Sequence, residues 1–392
     1  MSSESAQQGM SQMDIYIANR NGASVSKWAN TPEDWSQIRR KCSYARRRWY
    51  FPMLMNVFVP PKTLTHPLGT PTADLGTLEK VPNEIMGKIL CYLDVKSFRR
   101  FRNINAKAHL ITETALHCKE VLAYGNTAIV DLIRSGLSPY ITIGEIYEAL
   151  TSPKCEFCDE YGSILFLLTC TRTCHRCLCT SPRMAVIGTD EILKYYARFT
   201  MCGSEENRAH LLEALQKSSI LSLKVRNHCF PGRWVKGIRA VLVDDAVTSP
   251  ELGIHTTDEV REYLYGEWLH YRTAACIHFP SWNSSTSEVE EGLACKGCHE
   301  AFENRLIQAN GPLGDARINP DAEDRDRCYS HKDFEKHFEI CEHAQRIWMN
   351  RAPPRGEPWF ITYGGMYWGN NERVEYCRRF VDQMPVVSNE AF

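Results

Sequence analysis

From Leu78 onward the apolar residues fall into a helical rhythm. Val81-Pro82 predicts a helix start, because the residue before proline resists the α region and proline at the first helical position sacrifices no hydrogen bond. Ile85, Ile89 and Leu93 then recur every four residues with Met86 and Leu90 beside them, which gives one apolar face. Asp94 and Ser97 offer caps for a second short helix carrying Phe98 and Phe101. A third runs through Ile104, Ala108 and Ile111. Further helices are predicted at 113–123, at 126–134 with Gly136 closing it, and at 143–150.

The rhythm changes after Leu150. Ile164-Leu165-Phe166-Leu167-Leu168 is too short for an independent helix and suits a buried strand. Residues 220–247 predict strands with a turn at Pro231-Gly232, and 257–272 predicts a helix. Ser330 with Asp333 marks another helix start, and Phe334, Phe338 and Trp348 would seat that helix. Before it lies an acidic loop, Asp315 to Arg327. At the two ends the pattern weakens. Residues 1–76 predict a poorly ordered leader with a basic patch (Arg39, Arg40, Lys41, Arg46, Arg47, Arg48) of the kind that can serve as a nuclear import signal. The tail 351–392 is Pro-rich, then aromatic (Trp359, Phe360, Tyr363, Tyr367, Trp368), and too aromatic to read simply as disordered.

Cysteine placement adds the chemistry. Cys155-x2-Cys158 and Cys174-x2-Cys177 are 15 residues apart, flanking the expected strand. A C-x2-C turn can place two sulfurs on one metal, and two such turns joined by a hairpin complete a four-thiolate Zn²⁺ site of the zinc-ribbon or treble-clef kind. A third pair, Cys295 and Cys298, precedes His337-x3-Cys341 by 38 residues. His337 and Cys341 are four apart on the expected helix, so they share a face and can grip the same ion. Nearby Cys170, His175 and Cys179 at the first site, and Cys328, His331 and His343 at the second, are alternative ligands.

Charge and composition narrow the function. The net charge of −1 argues against coating nucleic acid or membrane by bulk charge, and no run of 18 apolar residues predicts a membrane span. The opening residues lack a basic-then-apolar leader, and 17 cysteines, an odd count, suit reduced thiols and metal in the cytosol or nucleus better than a disulfide framework. Four protein ligands per site describe closed, structural zinc, whereas catalytic zinc keeps a position open for water. No Walker-type phosphate loop appears, and the ligand order is not the interleaved eight of a RING module. No enzymatic activity is expected.

The segment Val81-Pro82-Asn83-Glu84-Ile85, followed by Ile89-Leu90-Cys91-Tyr92-Leu93 and by Phe98 with Arg102, resembles an F-box: Leu-Pro-x-Glu-Ile, Ile-Leu-x-x-Leu and Leu-x-x-x-Arg in order. The opening Leu is Val81 here, and the Trp often found near the motif's end falls at Ala108. With the two knuckles ending in Leu178 and the later Cys298 and His337-Phe338-x2-Cys341-x3-Gln345 elements, the chain is similar from Leu78 to about residue 350 to a recurrent group of filamentous-fungal F-box proteins. The resemblance implies docking on the Skp-type adaptor of a cullin-RING (SCF-type) ubiquitin ligase through Val81, Pro82, Ile85, Ile89, Leu93, Phe98 and Phe101, and recruitment of a protein client.

The expected fold is α+β: an F-box (78–115) and helical linker (116–150), a zinc-knuckle α+β domain (151–285), and a zinc-clipped helical part (286–350). The metal ligands are Cys155, Cys158, Cys174 and Cys177 at one Zn²⁺, and Cys295, Cys298, His337 and Cys341 at a second. The expected function is a non-catalytic substrate receptor, cytoplasmic or nuclear, with no membrane partner. The alternatives are a zinc-stabilised nucleic-acid-associated regulator, for which the first zinc segment offers Arg172, Arg176 and Arg183, and an F-box-like scaffold outside any ligase.

Overall fold

A computed structural model describes residues 28–29, 31–45, 72–199, 209, 211–214, 222–225, 228–230, 233–235, 238–255, 257–265, 269–308 and 320–349. The fold is α+β, with many short helices and small antiparallel sheets. The expected Pro231-Gly232 turn, the tail 351–392 and Arg46 to Arg48 lie outside the described residues.

Six helices come first after a 3₁₀ turn: α2 (Asn83–Tyr92), α3 (Val95–Arg102), α4 (Ala106–Thr114), α5 (Cys118–Tyr124), α6 (Asn126–Ser135) and α7 (Ile143–Thr151); α1 lies nearer the N-terminus and is described below. Their boundaries follow local chemistry. Pro82 sits one residue earlier than expected, at the N-cap of α2. The Asp94 carboxylate accepts from the Ser97 amide at the start of α3. Thr142 and Glu145 form a reciprocal capping box at α7. Gly136 ends α6 at φ +82, where a side chain would be strained.

Next come β2 (Ile164–Phe166), β3 (Thr171–Thr173) and α8 (His175–Thr180). β2 pairs with β3 on one edge (Leu165 opposite Arg172) and with β9 (Cys276–His278) on the other (Leu165 opposite Ile277). One continuous core joins Met86, Leu90, Val95 and Phe98 to Leu132, Ile146, Ile164, Phe166 and Phe279. It does not break at residue 150, where the sequence suggested a boundary. The helices bury one stripe and the sheet both faces, so each is the other's cover. Arg172 fastens the joint. It is buried and donates to the carbonyls of Ala149 (2.7 Å), Gly162, Phe279 (3.1 Å) and Pro280 (2.5 Å).

Residues 185–264 form a second core between α8 and β9, with β4 (Val186–Gly188) and β5 (Ser222–Val225) flanking β8 (Ile238–Leu242). β6 (His228–Phe230) and β7 (Arg233–Val235) pair antiparallel as a separate two-stranded sheet. Helices α9 (Thr189–Phe199), α10 (Val243–Thr248) and α11 (Asp258–Tyr265) belong to this part of the chain. The single helix expected over 257–272 is α11 followed by α12 (Leu269–Ala274).

The third core joins residues 28–42 to residues 293–348. β10 (Ser281–Asn283) and β11 (Glu288–Glu290) lead to β12 (Leu293–Cys295), α13 (Lys296–Gln308), α14 (Pro320–Asp326), β13 (Cys328–Tyr329), α15 (His331–Ile340) and α16 (Glu342–Met349). Packed against them is α1 (Pro32–Cys42), followed by β1 (Ser43–Tyr44), which pairs with β12 (Ser43 opposite Cys295). This corrects the expectation of a disordered leader throughout 1–76. Thr31 and Asp34 make a capping box, and Ile38 and Cys42 are fully buried. Two residues of the basic patch are engaged within the fold: Arg39 pairs with Glu335, and Lys41 donates to the Trp348 carbonyl at 2.9 Å. The expected acidic loop is also corrected. From Pro320 it is helix α14, with Arg325 and Asp326 buried against the rest, Arg325 lying 4.3 Å over the Phe302 ring.

Candidate metal centres and docking face

The structure gathers both expected ligand sets. At the first centre, a Lys154–Tyr161 bridge closes the turn that carries Cys155 and Cys158, and the β2–β3 hairpin returns the chain to Cys174, the N-cap of α8. Cys177 sits in that helix's first turn. Cys158 Sγ lies 3.7 Å from Cys174 Sγ and 3.6 Å from Cys177 Sγ, and all four sulfurs lie within 4.8 Å of one another. These separations are not disulfides. A tetrahedron of thiolates at about 2.3 Å from a central ion has edges of about 3.8 Å, which is what the chain presents. The amides of Phe157 and Cys177 donate to Cys155 and Cys174 Sγ at 3.4 Å each, supporting negative sulfur. The hydrogen bond from Cys174, with those of the local amides, overcomes burial and lowers the Cys155 thiol, while the same contact raises Cys174.

At the second centre, Cys295 ends β12, Cys298 lies in the first turn of α13, His337 is in the last turn of α15, and Cys341 links α15 to α16. Cys341 Sγ lies 3.8 Å from both Cys295 and Cys298, and Cys298 Sγ is 3.3 Å from His337 Nε2. Hydrogen bonds from Cys295 and Cys298 lower the Cys341 thiol pKa. Tyr329 holds the other face of the ligand: its hydroxyl is 3.2 Å from His337 Nδ1 and its ring stacks on the imidazole at 4.5 Å. A partner on the far nitrogen fixes which nitrogen is left for a metal. Tyr329 could not be read from spacing, because its position depends on β13 pairing with β12. Gly297 is required by contact. A Cβ there would sit 2.3 Å from the Ala344 nitrogen.

The alternative ligands are placed elsewhere. Cys170 is buried outside the first cluster. His175 and Cys179 face each other at 3.6 Å, with Asp326 3.8 Å from His175. His331 is 3.5 Å from Glu290, and His343 is bonded by Arg346. Cys328 is buried and belongs to neither cluster. Among the described residues, the two groups able to hold a metal ion are the two predicted ones.

The helix α2 carries two apolar stripes rather than one. Met86 and Leu90 point into the core (3% and 1% exposed), whereas Ile85, Ile89 and Tyr92 stand outside at 46%, 43% and 84%. Leu78, Leu116 and Ile104 are also exposed, and the Leu116 backbone runs beside Gly87 of α2. Ile85, Ile89 and Tyr92, at intervals of four and three, leave one face of α2 apolar and in water. Of the other residues predicted for this face, Pro82 is exposed, while Val81, Leu93 and Phe101 are half-buried against the core. Phe98 is corrected: at 2% exposure it is a core residue, its side chain taken up by packing beneath α3. Arg102, the motif's basic position, is buried too. It donates to Thr112 Oγ1 at 2.6 Å and to Glu113 at 2.8 Å.

The arginines offered for nucleic acid are mostly committed. Arg172 is buried on carbonyls, and Arg176 pairs with Glu323 at 3.1 Å, leaving Arg183 on the surface. No described helix is long and apolar enough to cross a membrane. Comparison with protein-family models, with curated proteins and with solved structures finds no match.

Proposed function

We propose that the chain is a non-catalytic receptor subunit of a cullin-RING ubiquitin ligase, docking a Skp-type adaptor through α2 and presenting a client on a body stiffened by two structural Zn²⁺ ions. The observation that carries this reading is the outward stripe Ile85, Ile89 and Tyr92, set on a helix whose inner stripe already satisfies the core. A helix that only filled a core would not need a second apolar face. The F-box resemblance of the same residues names the occupant. Zinc is the ion that suits both donor sets: sulfur and imidazole at tetrahedral separations, four protein ligands at each, with no position left for water. Such closed sites stabilise a fold rather than activate a substrate. The chain's contribution to ubiquitination is then positioning, the chemistry residing elsewhere in the assembly.

The test is co-purification with the adaptor from cells. Ile85→Asp with Ile89→Asp changes two side chains that are nearly half exposed, so the monomer should lose under about 1 kcal/mol. In a docked interface the same charges are buried without partners. Loss of the adaptor from a folded, metal-loaded double variant is the expected result. Adaptor retained at the wild-type level would end the proposal.

A further inference from the structure

We propose that His117, Glu120, Tyr124, Tyr147 and Trp282 form a binding site for an organic ammonium group, of the kind carried by an alkylated lysine side chain in a peptide. The site is independent of adaptor docking and of both metal centres.

His117, at the N-cap of α5, and Glu120 and Tyr124 within it recur at intervals of three and four, so they share one face of that helix. That face meets Tyr147 of α7 and Trp282 of β10. The His117 and Tyr147 rings lie 4.0 Å apart, Tyr147 and Trp282 6.4 Å, and Tyr124 and Trp282 6.0 Å with nearly parallel planes. Glu120 is 6% exposed, and its Oε2 has no hydrogen-bond partner. Lys119, its side chain largely in solvent, pairs with the other oxygen at 3.5 Å. A buried carboxylate oxygen left without a donor is costly, and the fold keeps it beside aromatic rings. Burial first, and then the Glu120 charge, raise the Tyr147 phenol.

Negative charge and the faces of aromatic rings attract the same ligand, a weakly hydrated cation. Two further polar atoms of the cluster are buried without partners: His117 Nδ1 and the Trp282 indole nitrogen. The indole N–H can only donate, so it suits a carbonyl beside the cation, which favours a peptide over a free ammonium ion. His117 also sits at φ +70, a strained conformation for a non-glycine residue and one that collects at functional sites.

The experiment uses the full, metal-loaded chain and calorimetric titration. The probes are a peptide carrying trimethyllysine, the same peptide with the uncharged tert-butyl isostere, and choline. The trimethyllysine peptide should bind at least about tenfold more tightly than its neutral isostere. Glu120→Gln should abolish that discrimination while leaving the chain folded and metal-loaded. Trp282→Leu should weaken both peptides. Choline binding at an affinity equal to the peptide's would support the ammonium site and assign it to a small ligand. Equal affinity for the charged and neutral peptides, discrimination that survives Glu120→Gln, or no binding by any probe would overturn the proposal.

Discussion

Gly297→Ala is a one-carbon change that should remove one metal and leave the other. The added Cβ would lie 2.3 Å from the Ala344 nitrogen and 2.7 Å from the His343 carbonyl carbon, where ordinary contact begins at 3.4 Å. The starts of α13 and α16 must therefore part by about 1 Å, and neither neighbour is a flexible side chain that could swing away. Cys298 follows Gly297 directly, and Cys341 lies three residues before Ala344. Opening their 3.8 Å sulfur separation by that amount gives about 4.8 Å. In a regular tetrahedron this corresponds to a metal–sulfur distance of about 2.9 Å, against the usual 2.3 Å for zinc thiolate, so the bond is lost. Overpacking alone costs about 1–3 kcal/mol, and the metal's contribution to folding goes with it. Elemental analysis of chelator-free protein should fall from two metals per chain to one, and the thermal midpoint should drop. A variant with two metals and a wild-type midpoint would refute the argument.

Other changes separate the parts of the account. Cys174→Ser should also lower the ratio by one, but from the first centre, and limited proteolysis should then cut within 155–179, since metal affinity there is folding energy. Removing residues 1–45 should cost the second metal without touching any of its ligands, because β1 pairs with the strand that ends in Cys295, and Trp35 of α1 and Trp28 of the segment before it cover Phe338; two metals retained would show the segment to be a bystander. Arg172→Leu leaves four carbonyls without their donor and should cost about 4 kcal/mol or more, read as a fall in the denaturation midpoint, with Arg172→Lys recovering only part.

The metal centres were the most legible part of this chain, for a local reason. A C-x2-C turn and an i, i+4 pair bring their ligands together whatever the rest of the fold does, so Cys155/Cys158 and His337/Cys341 could be named without knowing how the halves meet. Tyr329 could not, because strand pairing, not spacing, brings it to His337. On α2 the spacing identified the apolar positions but merged two neighbouring stripes. Periodicity has no term for which stripe faces inward, so Ile85 and Ile89 were grouped with residues that pack, and Phe98 was placed on a surface it does not reach. The segment 31–44 was missed although its signal was present: Thr31 and Asp34 as a capping box around Pro32, then Trp35, Ile38 and Cys42 at helical intervals. Its basic residues outweighed that pattern because the ends they meet, Glu335 and the Trp348 carbonyl, lie some 300 positions away.

The most direct test of adaptor docking is a titration of the purified chain with a purified Skp-type adaptor. The wild-type chain should bind one-to-one, with affinity weakened about 100-fold or more by Ile85→Asp with Ile89→Asp and unchanged by Glu120→Gln. No binding by a folded wild-type chain holding two metals, or equal binding by the double variant, would contradict it.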